Sequence, residues 1–160
     1  MKNEVIILVG ISGSGKTTWS TNYMKAFKNT LRINRDSIRQ MLVGNLDGYY
    51  KRKDLDIIEM EVTCAEIDIA DNLVLNAYDI ILDNTNLKPS HIDRWCNYFE
   101  KRDYNIKFKF FDIESIAYCK KMVNQRDNLT YTQLDYIDKQ FQQYQNIKNY
   151  IETKYKDNIL

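Results

Sequence analysis

The segment VIILVGISGSGKTT, residues 5–18, decides the fold of this 160-residue chain. Its first five residues form a continuous apolar run of strand length, as expected for a strand that is covered on both faces in a parallel sheet. Residues 10–17 match the pattern G-x-x-x-x-G-K-[ST] in full. A strand, this loop and then a helix predict a phosphate-binding loop at the carboxyl edge of a sheet.

The residue types in this loop suit a nucleoside triphosphate. Glycines let successive backbone N–H groups curl around phosphate oxygens, and Lys16 supplies a positive charge toward the outer phosphates. Thr17 begins the helix and can ligate Mg²⁺, while the helix N-terminus adds a favourable field. The predicted nucleotide-binding residues are Gly10, Ser12, Gly13, Ser14, Gly15, Lys16, Thr17 and Thr18.

Strand-like and helix-like segments alternate along the rest of the chain. Further strands are predicted at residues 31–33, 80–82 and 107–111, and helices at 16–28, 36–43, 54–77, 89–102, from 115, and at 132–156. This alternation predicts an α/β fold with a central parallel sheet of about four or five strands, connected by right-handed crossovers. The length suits one domain, residues 1–160.

Composition narrows the class of protein further. The net charge is only +1, but residues 25–53 carry eight Lys or Arg against two Asp, and residues 54–87 carry nine acids without a single Lys or Arg. The basic stretch is interpreted either as a solvated helix face or as a surface for a phosphate-bearing partner. The three cysteines are isolated in the sequence, which argues against a disulfide framework and against a metal site. The absence of a signal peptide or a long apolar span predicts a cytoplasmic protein.

Two acidic residues are predicted to join the phosphate loop at one edge of the sheet. Asp83 ends the third strand, where an acid can hold Mg²⁺ or its waters, although a simple turn residue is the alternative. Asp36 follows the second strand and is either a helix N-cap or the carboxylate that takes a proton from an acceptor hydroxyl. Arg35 and Arg39 flank Asp36, and arginine can grip an acceptor phosphate with two hydrogen bonds.

Three segments, GISGSGKTTW, INRDSIRQML and ILDNTNLKP, together resemble the 5′-hydroxyl polynucleotide kinase family, particularly the kinase domain of the phage enzymes. The resemblance covers nearly the whole chain and implies a P-loop kinase fold with a helical lid at about residues 118–133. It implies transfer of phosphate from ATP, with Mg²⁺, to 5′-OH ends of DNA or RNA, in the host cytoplasm if the chain is phage-encoded. A small-molecule kinase and a non-catalytic nucleotide switch remain the alternatives, and a homo-oligomer is left open.

The resemblance also implies roles for individual residues. Asp36 matches the general base, and Arg39 matches the residue that contacts the acceptor phosphate and steadies that base. Arg126 matches a lid arginine that contacts the donor phosphates. The implied catalytic residues are Lys16, Asp36, Arg39 and Arg126. The implied acceptor-binding residues are Arg35, Asp36, Arg39, Asn84 and Asn86, and the implied metal ligands are Thr17 and Asp83.

The chain departs from the family pattern at two places. Some phage members have their essential acid one position later, where this chain has Asn84, while others share the Asp-Asn-Thr-Asn form seen at residues 83–86 here. The family lid typically reads Arg-Asn-x-x-Arg before a proline, whereas Met122 and Val123 occupy its first two positions here and no proline follows. No phosphatase domain of the phage type is expected after Leu160.

Aromatic residues receive separate interpretations. Tyr49 and Tyr50 precede the basic residues 51–53 and are interpreted either as a base-stacking pair beside phosphate-binding charges or as a surface loop. Trp95 and Phe99 are assigned to the core.

Overall fold

Four parallel strands form one sheet in the order β2-β3-β1-β4 in this computed structural model, which describes residues 2–46, 48–127 and 134–160. The strands are β1 Glu4–Val9, β2 Thr30–Ile33, β3 Asp79–Leu82 and β4 Asn105–Phe110. The helices are α1 Lys16–Ala26, α2 Arg35–Val43, α3 Leu55–Leu75, α4 Pro89–Glu100, α5 Ile116–Asp127 and α6 Tyr136–Lys154. Short 3₁₀ turns lie at Tyr49–Lys51 and Lys156–Asn158.

The register of the sheet brings the functional segments to one edge. β1 pairs with β3 and with β4, and β2 pairs with β3 so that Ile33 lies opposite Leu82. Because every pair is parallel, the loops that follow β1, β2 and β3 leave from the same edge. The predicted α/β fold with a parallel sheet is therefore confirmed. The predicted start of the last helix, residue 132, lies outside the described residues.

The sheet is covered on both faces, which explains the unbroken apolar run of β1. One face packs into the main core, to which α3, α4 and α6 contribute; Trp95 and Phe99 are buried there as predicted. On the other face, α1 covers β1 with side chains that include Trp19 and Tyr23. No helix within residues 2–46, 48–127 and 134–160 combines the length and the apolar character needed to cross a bilayer.

Candidate active site

The phosphate loop between β1 and α1 is shaped by two glycines with left-handed backbone. Gly13 has φ +79° and Gly15 has φ +91°. A Cβ atom on Gly13 would lie 2.5 Å from the carbonyl oxygen of Cys119, so α5 packs directly against the loop. A Cβ on Gly15 would meet nothing within 4 Å, and no side chain caps α1 there. The N-terminus of α1 therefore faces open space in which phosphate oxygens can reach its N–H groups.

Lys16 is buried within this loop. Its Nζ donates to the carbonyl oxygens of Gly10 at 2.9 Å and Ile11 at 2.7 Å. Burial lowers the pKa of Lys16 to about 8, against the attraction of Asp83, which raises it. The ammonium group thus rests on neutral partners, and a triphosphate would offer it a stronger, charged one.

Asp83 lies immediately after β3, with only 1% of its side chain exposed. Its Oδ2 accepts hydrogen bonds from Ser20 and from Arg32, both at 3.0 Å. Its Oδ1 is buried and has no hydrogen-bond partner among the described residues. An orphaned carboxylate oxygen beside the start of α1, where Thr17 is exposed, fits the oxygen ligands that Mg²⁺ or its waters require. Thr17 and Asp83 would hold the ion.

On the acceptor side, Asn34 rather than Asp36 caps α2. The Asn34 backbone is extended, and its side-chain oxygen accepts from the Ser37 N–H at 2.9 Å. The predicted N-cap role of Asp36 is therefore wrong, since Asp36 lies within the first turn of the helix. Its carboxylate is 61% exposed and accepts from Arg39 Nη1 at 2.6 Å. Asp36 therefore does not cap the helix, and its carboxylate is exposed to solvent at this edge of the sheet.

Arg39 is held by a residue that sequence reasoning missed, Glu59 of α3. Arg39 donates to Glu59 through Nε at 2.7 Å and through Nη2 at 3.0 Å, which leaves Nη1 for Asp36. The hydrogen bond from Arg39 is the main cause that lowers the pKa of Glu59 to about 2. Glu59 also accepts from the Tyr49 hydroxyl at 2.7 Å. Glu59 thereby fixes the guanidinium that contacts the candidate base.

The neighbouring Arg35 turns away from this edge and into α3. It donates to Glu66 at 2.8 Å and to Glu59 at 2.9 Å. Glu66 is fully buried and also accepts from the Asn84 side chain at 2.8 Å. Asn86 is buried as well, with its amide donating to the Leu8 carbonyl at 2.7 Å. The structure therefore brings Asp36 and Arg39 to the open edge but commits the side-chain donors of Arg35, Asn84 and Asn86 to protein partners.

The same contacts explain the division of charge along the chain. Arg32, Arg35, Arg39 and Arg52 each form an ion pair with an acid, and for Arg35 and Arg39 the acids include Glu59 of α3. Much of the basic stretch is thus neutralised inside the molecule, an outcome that neither interpretation of the sequence included. Lys51 and Lys53 are exposed, with no ion pair among the described residues.

Arg126 lies at the end of α5, which packs on the phosphate loop. It donates to the adjacent Asp127 through Nε and Nη2, both at 2.6 Å. The pKa of Arg126 is raised, chiefly by this hydrogen bond and to a smaller extent by Asp36, so the two side chains are within electrostatic reach. The predicted lid comprises part of α5, and its residues 128–133 lie outside the described part of the chain.

The C-terminal helix also touches the loop, a contact that sequence reasoning missed. The backbone N–H of Ser12 donates to the side-chain oxygen of Gln140 in α6 at 2.8 Å. Lys120 of α5 donates to Asp138 of α6 at 2.6 Å. These contacts join α5 and α6 above the phosphate loop.

A parallel sheet with this loop after β1, and with a buried acid after the adjacent β3, defines the class of P-loop nucleotide-binding domains. The chain belongs to the AAA domain family, whose model matches residues 5–147. The resemblance to polynucleotide kinases is confirmed by similarity to a protein of Autographa californica nuclear polyhedrosis virus named as a bifunctional polynucleotide kinase/RNA ligase. The two are 25% identical over 154 residues, which cover 92% of this chain and 22% of the viral protein.

Solved structures agree with this assignment. A chain of the Pnkp1/Rnl/Hen1 RNA repair complex is 25% identical, with a TM-score of 0.77, and the match covers 92% of this chain and 46% of that chain. A gluconokinase from Sinorhizobium meliloti 1021 is 20% identical, with a TM-score of 0.54, covering 88% of this chain and 74% of that one, and shows the fold alone. The chain spans about half of the matched repair-complex chain and about a fifth of the viral relative.

Proposed function

We propose that this chain is an ATP-dependent polynucleotide 5′-hydroxyl kinase. The observation that carries the proposal is the placement of the Asp36–Arg39 pair at the same sheet edge as the phosphate loop and the orphaned oxygen of Asp83. Such an arrangement offers a donor side and an acceptor side for an in-line transfer. Similarity to a polynucleotide kinase/RNA ligase and to a chain of an RNA repair complex favours a nucleic-acid 5′ end as the acceptor.

In this proposal each residue has a defined task. Lys16 moves its ammonium from the loop carbonyls to the outer phosphates, and the N–H groups at the start of α1 hold them. ATP bound with Mg²⁺ supplies the phosphoryl group and charge neutralisation. Asp36 accepts the proton of the 5′-hydroxyl group. The oxygen of that hydroxyl group forms a bond to the γ-phosphorus, while the bond from the γ-phosphorus to the departing ADP oxygen breaks. Arg39 orients the Asp36 carboxylate through the hydrogen bond from its Nη1.

Arg126 is proposed to contact the donor phosphates after exchanging its partner Asp127 for them. Its solvent-exposed guanidinium is electrostatically coupled to Lys16 as well as to Asp36. Acceptor binding by Arg35, Asn84 and Asn86 stays a prediction, and their contacts favour a structural role for these side chains. A small-molecule acceptor is the second candidate, which the sequence left open.

A panel of acceptors tests the proposed function. The chain is incubated with γ-labelled ATP, Mg²⁺ and 5′-OH oligonucleotides of DNA or RNA, the same oligonucleotides with a 5′-phosphate, nucleosides, 3′-nucleotides and gluconate. Label is expected on the 5′-OH oligonucleotides and not on those already phosphorylated. Label on a small molecule alone would favour the second candidate, and nucleotide binding without any transfer would refute a kinase.

A further inference from the structure

An exposed aromatic ring lies beside the acceptor side without a role in the proposed chemistry. Tyr50 is 73% exposed, more than any other aromatic side chain among the described residues. It follows Tyr49, which is 2% exposed, in a single 3₁₀ turn. On the sequence alone, the two tyrosines are interpreted together, as one pair. In the structure, Tyr49 is a buried anchor and Tyr50 is an exposed ring.

The anchor connects Tyr50 to the candidate base by an unbroken series of contacts. Tyr49 donates its hydroxyl to Glu59 at 2.7 Å, and Glu59 holds Arg39, which contacts Asp36. The Arg39 guanidinium also lies 5.8 Å from the centre of the Tyr49 ring. Tyr50 packs edge-to-face on Tyr49, with ring centroids 5.2 Å apart and an interplanar angle of 90°. The contacts of Tyr49 therefore anchor the turn that carries Tyr50 to the residues that hold Asp36.

The charges around the ring match a nucleic-acid strand. Lys51 and Lys53 follow Tyr50 directly and are exposed, whereas Arg52 between them is paired with Asp54 at 2.8 Å. Proteins that bind single strands combine aromatic faces, on which bases stack, with cations that meet the backbone phosphates. The exposed Tyr50 ring and the two exposed lysines form a small version of this combination, large enough for the end of a nucleic-acid strand.

We propose that Tyr50 forms a nucleobase-stacking subsite for the 5′-terminal nucleotide of the acceptor. This inference rests on the proposed function and specifies its substrate. Stacking of the terminal base on Tyr50 places the 5′-OH toward Asp36, and Lys51 and Lys53 meet the phosphates that follow. The base must be unpaired to expose a face, so a single-stranded end is preferred to a blunt duplex end, and an acceptor without a base is a poor substrate.

Kinetics with paired acceptors and variants test this subsite. Tyr50→Ala should raise KM for a single-stranded 5′-OH oligonucleotide by roughly 5- to 100-fold, because stacking on one aromatic residue has about that effect. Tyr50→Phe keeps the ring face and should recover most of the lost affinity. With an oligonucleotide whose 5′-terminal nucleotide is abasic, the wild type should show a KM as high as that of Tyr50→Ala with the ordinary oligonucleotide. The KM of Tyr50→Ala itself should not rise further with the abasic oligonucleotide. The KM for ATP should not follow these changes.

Phe27→Ala is the matched control. Phe27 is also an exposed aromatic residue, 54% exposed, but it follows α1 and precedes β2 at the opposite edge of the sheet. Its removal should leave KM for the acceptor unchanged. Equal KM values for the wild type and Tyr50→Ala, or a KM in the wild type that ignores the terminal base, would overturn the subsite while the kinase activity stands. A wild type that phosphorylates no 5′-OH end would overturn both.

Discussion

Replacement of Glu59 by Gln is expected to reduce both stability and turnover. The Glu59 carboxylate accepts two hydrogen bonds from Arg39, at 2.7 and 3.0 Å, and others from Tyr49 and Arg35. A glutamine amide has a single acceptor oxygen, so at least one charge-assisted hydrogen bond is lost, and such a bond contributes about 1.5–3 kcal/mol. Glu59 is 30% exposed, so water replaces part of the loss. The expected decrease in the free energy of unfolding is about 2 kcal/mol.

This decrease should depend on pH in a defined direction. The hydrogen bond from Arg39 is the main cause that lowers the pKa of Glu59 from 4.5 to about 2. A group whose pKa is lower in the folded state contributes its stability fully above its unfolded pKa and loses it as the pH falls toward the folded pKa. Urea unfolding at pH 7 should therefore give a higher free energy of unfolding for the wild type than for Glu59→Gln. The two free energies should converge as the pH falls from 4.5 to 2.

Turnover should fall with stability, because Glu59 orients the Arg39 guanidinium that contacts Asp36. A decrease in kcat of roughly tenfold, with an unchanged KM for ATP, is the expected signature of a misplaced acceptor side. Glu61→Gln is the control, since Glu61 lies on the same helix, is exposed and forms no ion pair among the described residues. Equal stabilities for the two variants, or a difference that does not change with pH, would refute the reasoning.

Two further perturbations test the donor side. The ATP affinity measured by calorimetry should fall as the pH rises above about 8, by up to tenfold per pH unit, because the buried Lys16 ammonium loses its proton in this range. A constant affinity from pH 7 to 9.5 would contradict this expectation. Asp83→Ala should weaken the Mg²⁺ dependence of ATP binding, whereas Asp79→Ala, at the other end of the same strand, should not. Unaltered metal dependence in Asp83→Ala would remove Asp83 from the ion site.

Much of the architecture could be predicted because it depends on local patterns. Apolar runs of strand length, separated by helices, indicate a parallel sheet, and parallel strands bring the loop, Asp36 and Asp83 to one edge. The order β2-β3-β1-β4 depends on pairing between distant segments and was not predicted. The Ser12–Gln140 hydrogen bond, which spans 128 positions, has no local signal either.

The errors at the acceptor side have a common physical cause. Asn34 and Asp36 are both good N-cap residues, and only the backbone angles decide between them. The direction of the Arg35 side chain depends on where α3 packs, since its partners Glu59 and Glu66 come from that helix. The abrupt change from basic to acidic residues at position 54 was a usable signal. Opposite charges on consecutive segments are also the pattern expected when those segments pair with each other.

The most direct measurement of the central claim compares phosphate transfer by Asp36→Asn and by the wild type. Asp36 is exposed and does not cap α2, so the variant should fold and bind ATP normally. Loss of a general base is expected to lower transfer from γ-labelled ATP to a 5′-OH oligonucleotide by about 10²- to 10⁴-fold. Asp56→Asn, the same change at an exposed position of α3, should keep full activity. Undiminished transfer in Asp36→Asn would contradict the assignment of Asp36 as the base.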